Sequence, residues 1–393
     1  MNNFQGMQPP RAPIRIFDLG HKRHLGLITS YEYNRLSSLY CLYKMRFEWE
    51  KPSAPAAPEN EETKGYNQIT SIEIAPKNNQ FVGVLTKDSV FAIYDIQTNP
   101  KVYQTILSKR IPHDDAKFYV PPNSVHWLGN CNSCTIGTRH SIQFWDCTAE
   151  KPSIIVKMNT KVFNHVISTS YEDTTANDYV AVSGNRGNVF LIDSRAGCAV
   201  TESQTDDRRP IRTIEWHPTN NLQYAIGNDN GNIQLWDIRH QNNSVLKFTD
   251  DEYFDRVPLF KPQITGLRFY NNGASILSVD INGDVLSWDV GSGRIQQKNY
   301  DRVPMCNLNR NTFYKEFQFS TTKNLKQDIA FMPSEWGLYT FDINTGNKIH
   351  AIDNHCSIIC TTYDPRTLRV YGSTDNFIMS WAPRPPSTDE VVA

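Results

Sequence analysis

One strand ending recurs seven times and limits what this chain can become. It reads VFAIYDIQTN (90–99), SIQFWDCTAE (141–150), NVFLIDSRAG (188–197), NIQLWDIRHQ (232–241), DVLSWDVGSG (284–293), GLYTFDINTG (337–346) and FIMSWAPRPP (377–386). Each copy alternates apolar and polar residues, places an aromatic residue or Ile near its end, and usually follows it with Asp and a turn. Alternation with period two marks a half-buried strand. The aromatic position falls at 94, 145, 192, 236, 288, 341 and 381, at intervals of 51, 47, 44, 52, 53 and 40. Such a period stacks small units on their neighbours instead of wrapping the chain around one core.

A second pattern precedes several of these endings: ITSIEIAP (69–76), IRTIEWHP (211–218), ITGLRFYN (264–271) and ICTTYDP (359–365). Most copies stop at Pro, which cannot donate to a further ladder bond. A short strand such as QYAIG (223–227) follows, then a tight turn. Asn230-Gly231 and Asn282-Gly283 are strong hairpin signals, since both residue types adopt positive φ. Units of this kind resemble WD40 repeats, which run to about 40–45 residues before loop insertions. The expected fold is all-β, a seven-bladed WD40 β-propeller with a short N-terminal helical arm. The repeats are degenerate. Only Asp88 and Asp375 stand where a WD40 blade often carries a turn Asp, while Arg139, Arg186, Asn230 and Asn282 occupy other blades and no clear Gly-His pair is present. Packing is therefore expected to hold the blades more than a polar network.

The propeller is expected over 37–383, with SSLYCLYKMRFEWE (37–50) supplying the outer strand of the last blade. The Pro-, Ala- and Glu-rich stretch 51–65 reads as a mobile loop, and 1–13 and 384–393 as disordered ends. Lys plus Arg is 40 and Asp plus Glu is 41, a net charge of -1. That balance leaves no overall electrostatic footprint for duplex DNA or an anionic membrane. Mean hydropathy is -0.52. No run approaches the roughly 18 apolar residues that cross a bilayer, and the first residues lack the apolar core of a signal peptide. The expectation is a soluble, intracellular protein. Of the eight cysteines, Cys131 and Cys134 form a lone CxxC without the second pair of a zinc site. They read as small apolar fillers near a strand, as do Cys356 and Cys360.

Residues 14–36 do not alternate. Ile14–Phe17 and Leu25–Ile28 are spaced i, i+3, which suits short amphipathic helices, with Gly20 and Gly26 as breaks and Ser30 as the cap of a second helix from Tyr31. Two readings are open: a helix packed on the propeller's own flank, or an arm that binds a partner. The second is preferred, because a closed ring needs no N-terminal helix and because Arg15, His21, Lys22, Arg23 and His24 intersperse the apolar positions.

No P-loop, HExxH or nucleophile elbow occurs, and no catalytic residue, cofactor or metal site is expected. His113-Asp114-Asp115 and Asp206-Asp207-Arg208-Arg209 read as solvated loops. One pattern is more specific. Trp236-Asp237-Ile238-Arg239 is a WDxR box, and the preceding blade carries Ile192-Asp193-Ser194-Arg195, the same box with Ile for Trp. Each Arg emerges just past a strand, on one rim. It either caps its own turn or offers a guanidinium fork to a partner's carboxylates and carbonyls.

Adjacent WDxR boxes behind a helical start resemble the substrate receptors of cullin-4 ubiquitin ligases. The resemblance implies that Arg195 and Arg239, with Asp193, Trp236 and Asp237, dock on the ligase adaptor, the large subunit of damage-specific DNA-binding protein. Ile14, Phe17, Leu25 and Ile28 of the arm would insert into the same adaptor. It further implies a nuclear protein that makes no bond itself. Such a protein carries cullin-4 and its RING subunit to RNA polymerase II stalled in transcription-coupled nucleotide excision repair, with the Cockayne syndrome group B ATPase as a target. Three other readings stay open: a WD40 scaffold subunit of another nuclear complex, a propeller that binds damaged DNA directly, and an enzyme centred on the axial channel. The last needs a buried cluster of titratable residues on the axis, and none is legible in the sequence.

Overall fold

The computed structural model describes residues 16–43, 45–48, 68–76, 80–96, 104–111, 122, 124–129, 132–138, 140–149, 151–158, 166–171, 179–249, 262–296, 298–305, 316–322, 328–353, 356–374 and 377–383. The ends (1–13, 384–393) and the loop (51–65) lie outside this set. Among the described residues, seven four-stranded antiparallel sheets form the blades of a β-propeller. The innermost strands touch in sequence around the ring, and that of blade 7 touches that of blade 1. All seven recurring endings are third strands of blades, from Val90–Asp95 in blade 1 to Ile378–Pro383 in blade 7.

Alternation explains the core. Each strand turns one set of side chains to the blade behind and the other to the blade ahead. Buried apolar residues accordingly fall into clusters between neighbouring blades, among them one that joins Ile72 and Val84 of blade 1 to Cys360, Tyr371 and Ile378 of blade 7. The aromatic position faces the preceding blade: Phe91 lies 5.9 Å from Trp145, and Phe248 lies 6.0 Å from Trp288. Ile192 fills the same place and is fully buried.

Three of the indole N–H groups in this core are met within their own blades. Trp145 donates to Gln143 (3.2 Å), Trp236 to Gln234 (3.1 Å) and Trp288 to Ser278 (2.8 Å). In these three blades a short polar contact thus replaces the turn Asp and His that they lack. The Asn-Gly turns also differ from the expected form. Asn228 N–H bonds to Asn232 O and Asp280 N–H to Asp284 O, enclosing three residues, and only Gly231 and Gly283 take positive φ. A three-residue loop puts its left-handed residue last, which leaves Asn230 and Asn282 with ordinary dihedrals.

Before the ring come α1 (Ile16–His24) and α2 (Ser30–Tyr43). The stretch 37–50, expected as a strand, is helical to Tyr43, and only Met45–Glu48 is extended. Leu39 and Leu42, at helical spacing, bury among Ile329, Phe331, Val370 and Trp381 of blades 6 and 7. That burial outweighs the strand-like composition. Met45–Glu48 pairs antiparallel with Ile378–Pro383 as the outermost strand of blade 7. The cap of α2 is Thr29, not Ser30: Glu32 N–H donates to Thr29 Oγ1, and Glu32 Oε2 accepts from Thr29 N–H, both at 3.1 Å. Such reciprocal capping satisfies two otherwise orphaned donors. No helix among the described residues is long and apolar enough to cross a membrane.

Candidate functional site

Antiparallel blades put the ends of their first and third strands on one rim and the ends of their second strands on the other. Arg195 and Arg239 follow the third strands of blades 3 and 4, Asn188–Asp193 and Ile233–Asp237, so both lie on the first rim. The outermost strand of blade 7 starts at Met45, opposite Pro383, where a third strand finishes. The helical arm therefore leaves the propeller from this same rim.

The two Arg turns share one geometry. Asp237 Oδ1 accepts from the backbone N–H of Arg239 (2.9 Å) and from its Nε (3.0 Å), while Oδ2 accepts from Nη2 (2.7 Å). Asp193 does the same for Arg195 at 2.9, 3.3 and 3.2 Å. An Asp that accepts from the N–H two residues on forms an Asx turn. Asp146 and Asp342 make that turn too, but with Thr148 and Asn344 at the second position. Each fork thus closes on its own carboxylate, as the turn-capping reading anticipates. The guanidiniums still stand out from the rim, 62% exposed for Arg195 and 61% for Arg239. Five N–H donors make a guanidinium, and Asp237 takes two of those of Arg239. Hydrogen bonding to the guanidiniums holds both carboxyls below the ordinary range against the opposing effect of burial. Ile192 in place of Trp leaves the Arg195 turn unaltered, because that side chain faces blade 2 and not the rim. Beside Arg239 the loop 240–245 encloses a hollow of about 500 Å³.

In the arm, α1 packs on α2, and the Arg23 guanidinium lies 5.0 Å over the Tyr33 ring. Gly26, at φ 69°, lets the chain turn between them. Leu25, Leu27 and Tyr31 are exposed at this corner and Ile28 is half-buried. Phe17 lies within α1; Ile14 is outside the described residues. The two readings of the arm divide it: the end of α2 packs on the propeller, and the α1–α2 corner presents apolar residues to solvent.

The first rim also holds the mouth of an axial cavity of about 280 Å³, lined by Glu73, His126, Glu215, Arg268, Phe319 and Tyr363 among others. Its charged wall comes from one register position. Glu73, His126, Glu215, Arg268, Ser320 and Thr362 pair with Gly83, Thr135, Ala225, Leu277, Phe331 and Tyr371, the equivalent residues of six second strands. His126 Nδ1 is 3.1 Å from Glu73 Oε2. Arg268 Nη1 is 3.2 Å from Glu215 and 3.3 Å from Glu316. Burial disfavours the His126 cation, but Glu73 more than offsets this, with help from Glu316, and raises its pKa. Burial likewise opposes the Arg268 charge, and Glu215 and Glu316 together raise its pKa. A buried titratable cluster therefore does occupy the axis, contrary to the sequence-based expectation. The signal was present as the fifth residue of ITSIEIAP, IRTIEWHP and ITGLRFYN, which reads as strand filler until the ring brings the copies together.

The remaining candidates stay bland. Cys134 and Cys360 are buried, with Cys360 Sγ 2.8 Å from Ser373 Oγ, and Cys356 lies 3.7 Å from the Met379 sulfur. Cys131 and His113-Asp114-Asp115 lie outside the described residues. Asp207 accepts from the side chains of Asn228 (2.8 Å) and Asn230 (3.2 Å), a structural bond between blades. Among the described residues no group of three His, Cys, Asp or Glu side chains is placed to hold a metal ion.

Fold and rim together define the class: a seven-bladed β-propeller with WD-repeat-like blades, an architecture typical of non-catalytic scaffolds. No protein-family model matches the sequence.

Proposed function

We propose that the chain is the substrate-recognition subunit of a cullin-4 RING ubiquitin ligase and acts by docking, not by catalysis. The observation that carries this reading is the convergence of the arm and both Arg turns on one rim. An adaptor such as the large subunit of damage-specific DNA-binding protein would meet Arg195 and Arg239 there and cover Leu25, Leu27 and Tyr31. Arg and aromatic residues dominate binding energy at interfaces. The opposite rim exposes Trp336 and Phe377 at the turns of blades 6 and 7, which suits a second partner on that side. Against catalysis stands the axial cluster itself. Its carboxylates and cations are mutually paired, and His126 Nε2 has no hydroxyl or thiol partner among the described residues.

The particular resemblance is to the Cockayne syndrome group A protein. It runs from about Phe17 to Pro386, through AVSGNRGNVFLIDSRAG, NIQLWDIRHQ and YGSTDNFIMSWAPRPP. On that reading the protein is nuclear. It brings cullin-4 and the RING subunit to RNA polymerase II stalled in transcription-coupled repair, with the Cockayne syndrome group B ATPase on the far rim. The test is capture of the adaptor from cells by three tagged chains: the intact protein, a form lacking residues 1–36, and Arg239→Glu. Capture by the intact chain and loss from both folded variants is the expected result. An intact chain that captures no adaptor leaves a propeller scaffold of another complex.

A further inference from the structure

The charge run Asp206-Asp207-Arg208-Arg209 divides in the folded chain. It lies where the outer strand of blade 3, Cys198–Gln204, passes into blade 4, on the rim opposite the arm. Its acids are engaged. Asp206 is 3.0 Å from Lys247 Nζ, and Asp207 accepts from the side chains of Asn228 and Asn230 and from the N–H of Arg209 (3.3 Å). Its cations are not. Arg208 and Arg209 are exposed, and no carboxylate among the described residues lies within ion-pair distance of either guanidinium.

Arg208 is also held in an unfavourable backbone. At φ 49° it is the only charged residue among the described non-glycine residues of positive φ, beside Ser89, Asn271, Asn272 and Leu368. A left-handed conformation costs a side chain stability that glycine keeps, so the turn itself gains nothing from an Arg at this place. Strain at a residue whose chemistry the fold does not use points to function. The neighbouring turn of blade 3 comes to the same spot. A Cβ on Gly187 would lie 2.9 Å from Arg208 Cα, so the exposed Arg186 just before it stands beside Arg208.

We propose that Arg208 and Arg209, flanked by Arg186, bind the phosphate of a phosphorylated serine or threonine on a partner protein. A phosphate ester carries about −1.5 to −2 charge and several strong acceptor oxygens, which suits adjacent guanidinium forks better than one carboxylate does. A nucleic-acid strand fits less well, because it repeats a phosphate roughly every 3.4 Å. Here the basic spot is short and is bounded by the exposed Asp206 and Glu202. The site lies on the rim opposite Arg195 and Arg239, so the proposal does not depend on the ligase reading.

The full-length chain is mixed at low salt with the pentapeptide Gly-Ala-phosphoserine-Ala-Gly, and the phosphorus NMR line of the peptide is followed. Line broadening that saturates below about 10 mM peptide is expected. Arg208→Gly is expected to weaken binding at least about ten-fold, the worth of one charge-assisted contact, with no loss of thermal stability. Arg209→Gln should weaken it by a similar factor, while Arg294→Gln, an exposed Arg on the other rim, should leave it unchanged. Should Arg208→Gly fold poorly, Arg208→Asn decides in its place, since Asn tolerates the left-handed region. The proposal is overturned by no saturation at about 10 mM, by equal weakening in Arg294→Gln, or by displacement of the phosphopeptide at equal concentration of its glutamate analogue or of oligothymidylate. No adaptor is present in this titration. A chain that binds the phosphopeptide but captures no adaptor loses the ligase reading and keeps this one, and the converse result does the opposite.

Discussion

Asn228 in blade 4 and Asp280 in blade 5 hold the same position and make the same two hydrogen bonds, yet one is neutral and the other an acid. Asn228 Oδ1 accepts from the N–H groups of Asn230 (3.1 Å) and Asn232 (2.9 Å). Asp280 Oδ1 accepts from Asn282 (2.8 Å) and Asp284 (2.9 Å). An amide oxygen therefore suffices for the turn, and the Asp280 charge is surplus.

Burial raises the Asp280 pKa from 3.8 to about 6. The folded state then binds more protons than the unfolded state between those values, so the ionised group lowers stability above that window and the penalty fades as pH falls through it. Asp280→Asn keeps the acceptor and removes the charge. It is expected to stabilise the protein at pH 8 by about 1–3 kcal/mol, with the gain shrinking toward pH 4. Urea unfolding followed by circular dichroism at both pH values checks this; a variant less stable than the parent at pH 8 contradicts it.

Gln234 lies two residues before Trp236, on the same side of its strand, and takes the indole proton in the core between blades 3 and 4. Gln234→Ala leaves a buried donor unmet and is expected to cost about 1–3 kcal/mol. Adding Trp236→Phe removes that donor, so the double variant should lose less than the sum of the two single changes. Strict additivity in a thermal-melting cycle would show that the bond contributes nothing.

Gly283 sits at φ 89°, and a Cβ there would run into the carbonyl oxygen of Val303. Gly283→Ala therefore combines an unfavourable backbone conformation with a clash against main chain. A loss of about 1–3 kcal/mol or more is expected. Proteolysis should then begin at the contact between blades 5 and 6, and an unchanged digestion pattern with unchanged stability would count against this account.

Arg268 serves two carboxylates at once, and Glu316 is buried. Arg268→Met removes the cation from both pairs, and a loss of about 3–5 kcal/mol, the usual cost of breaking a buried pair, is expected. Urea unfolding checks this; a variant as stable as the parent contradicts it.

The fold was legible because its evidence is local. Seven endings such as NIQLWDIRHQ each carry their own alternation and turn, and Ile192 or Phe341 can replace Trp without disturbing the period. The arm was harder, since Leu39 and Leu42 fit a strand composition and only their burial against Phe331 and Trp381 decides for a helix. Arg195 and Arg239 were found by their motif, but their closure on Asp193 and Asp237 is a matter of side-chain geometry. The axial cluster was out of reach for a different reason. Glu73, His126, Glu215 and Arg268 span 196 residues of sequence (73 to 268) and become neighbours only when the ring closes.

That closure also sets a timetable. Met45 is paired with Pro383, 338 positions later (383 − 45). At a synthesis rate of about 5–20 residues per second, the strand made first waits on the order of tens of seconds for its partner. Throughout that interval α2 lacks Val370 and Trp381, part of the surface on which Leu39 and Leu42 rest. A nascent or prematurely terminated chain therefore has only the blade 6 part of that surface, Ile329, Phe331 and Leu338, under its arm. The full seat of the helices exists only in a finished ring, so their placement reports completion.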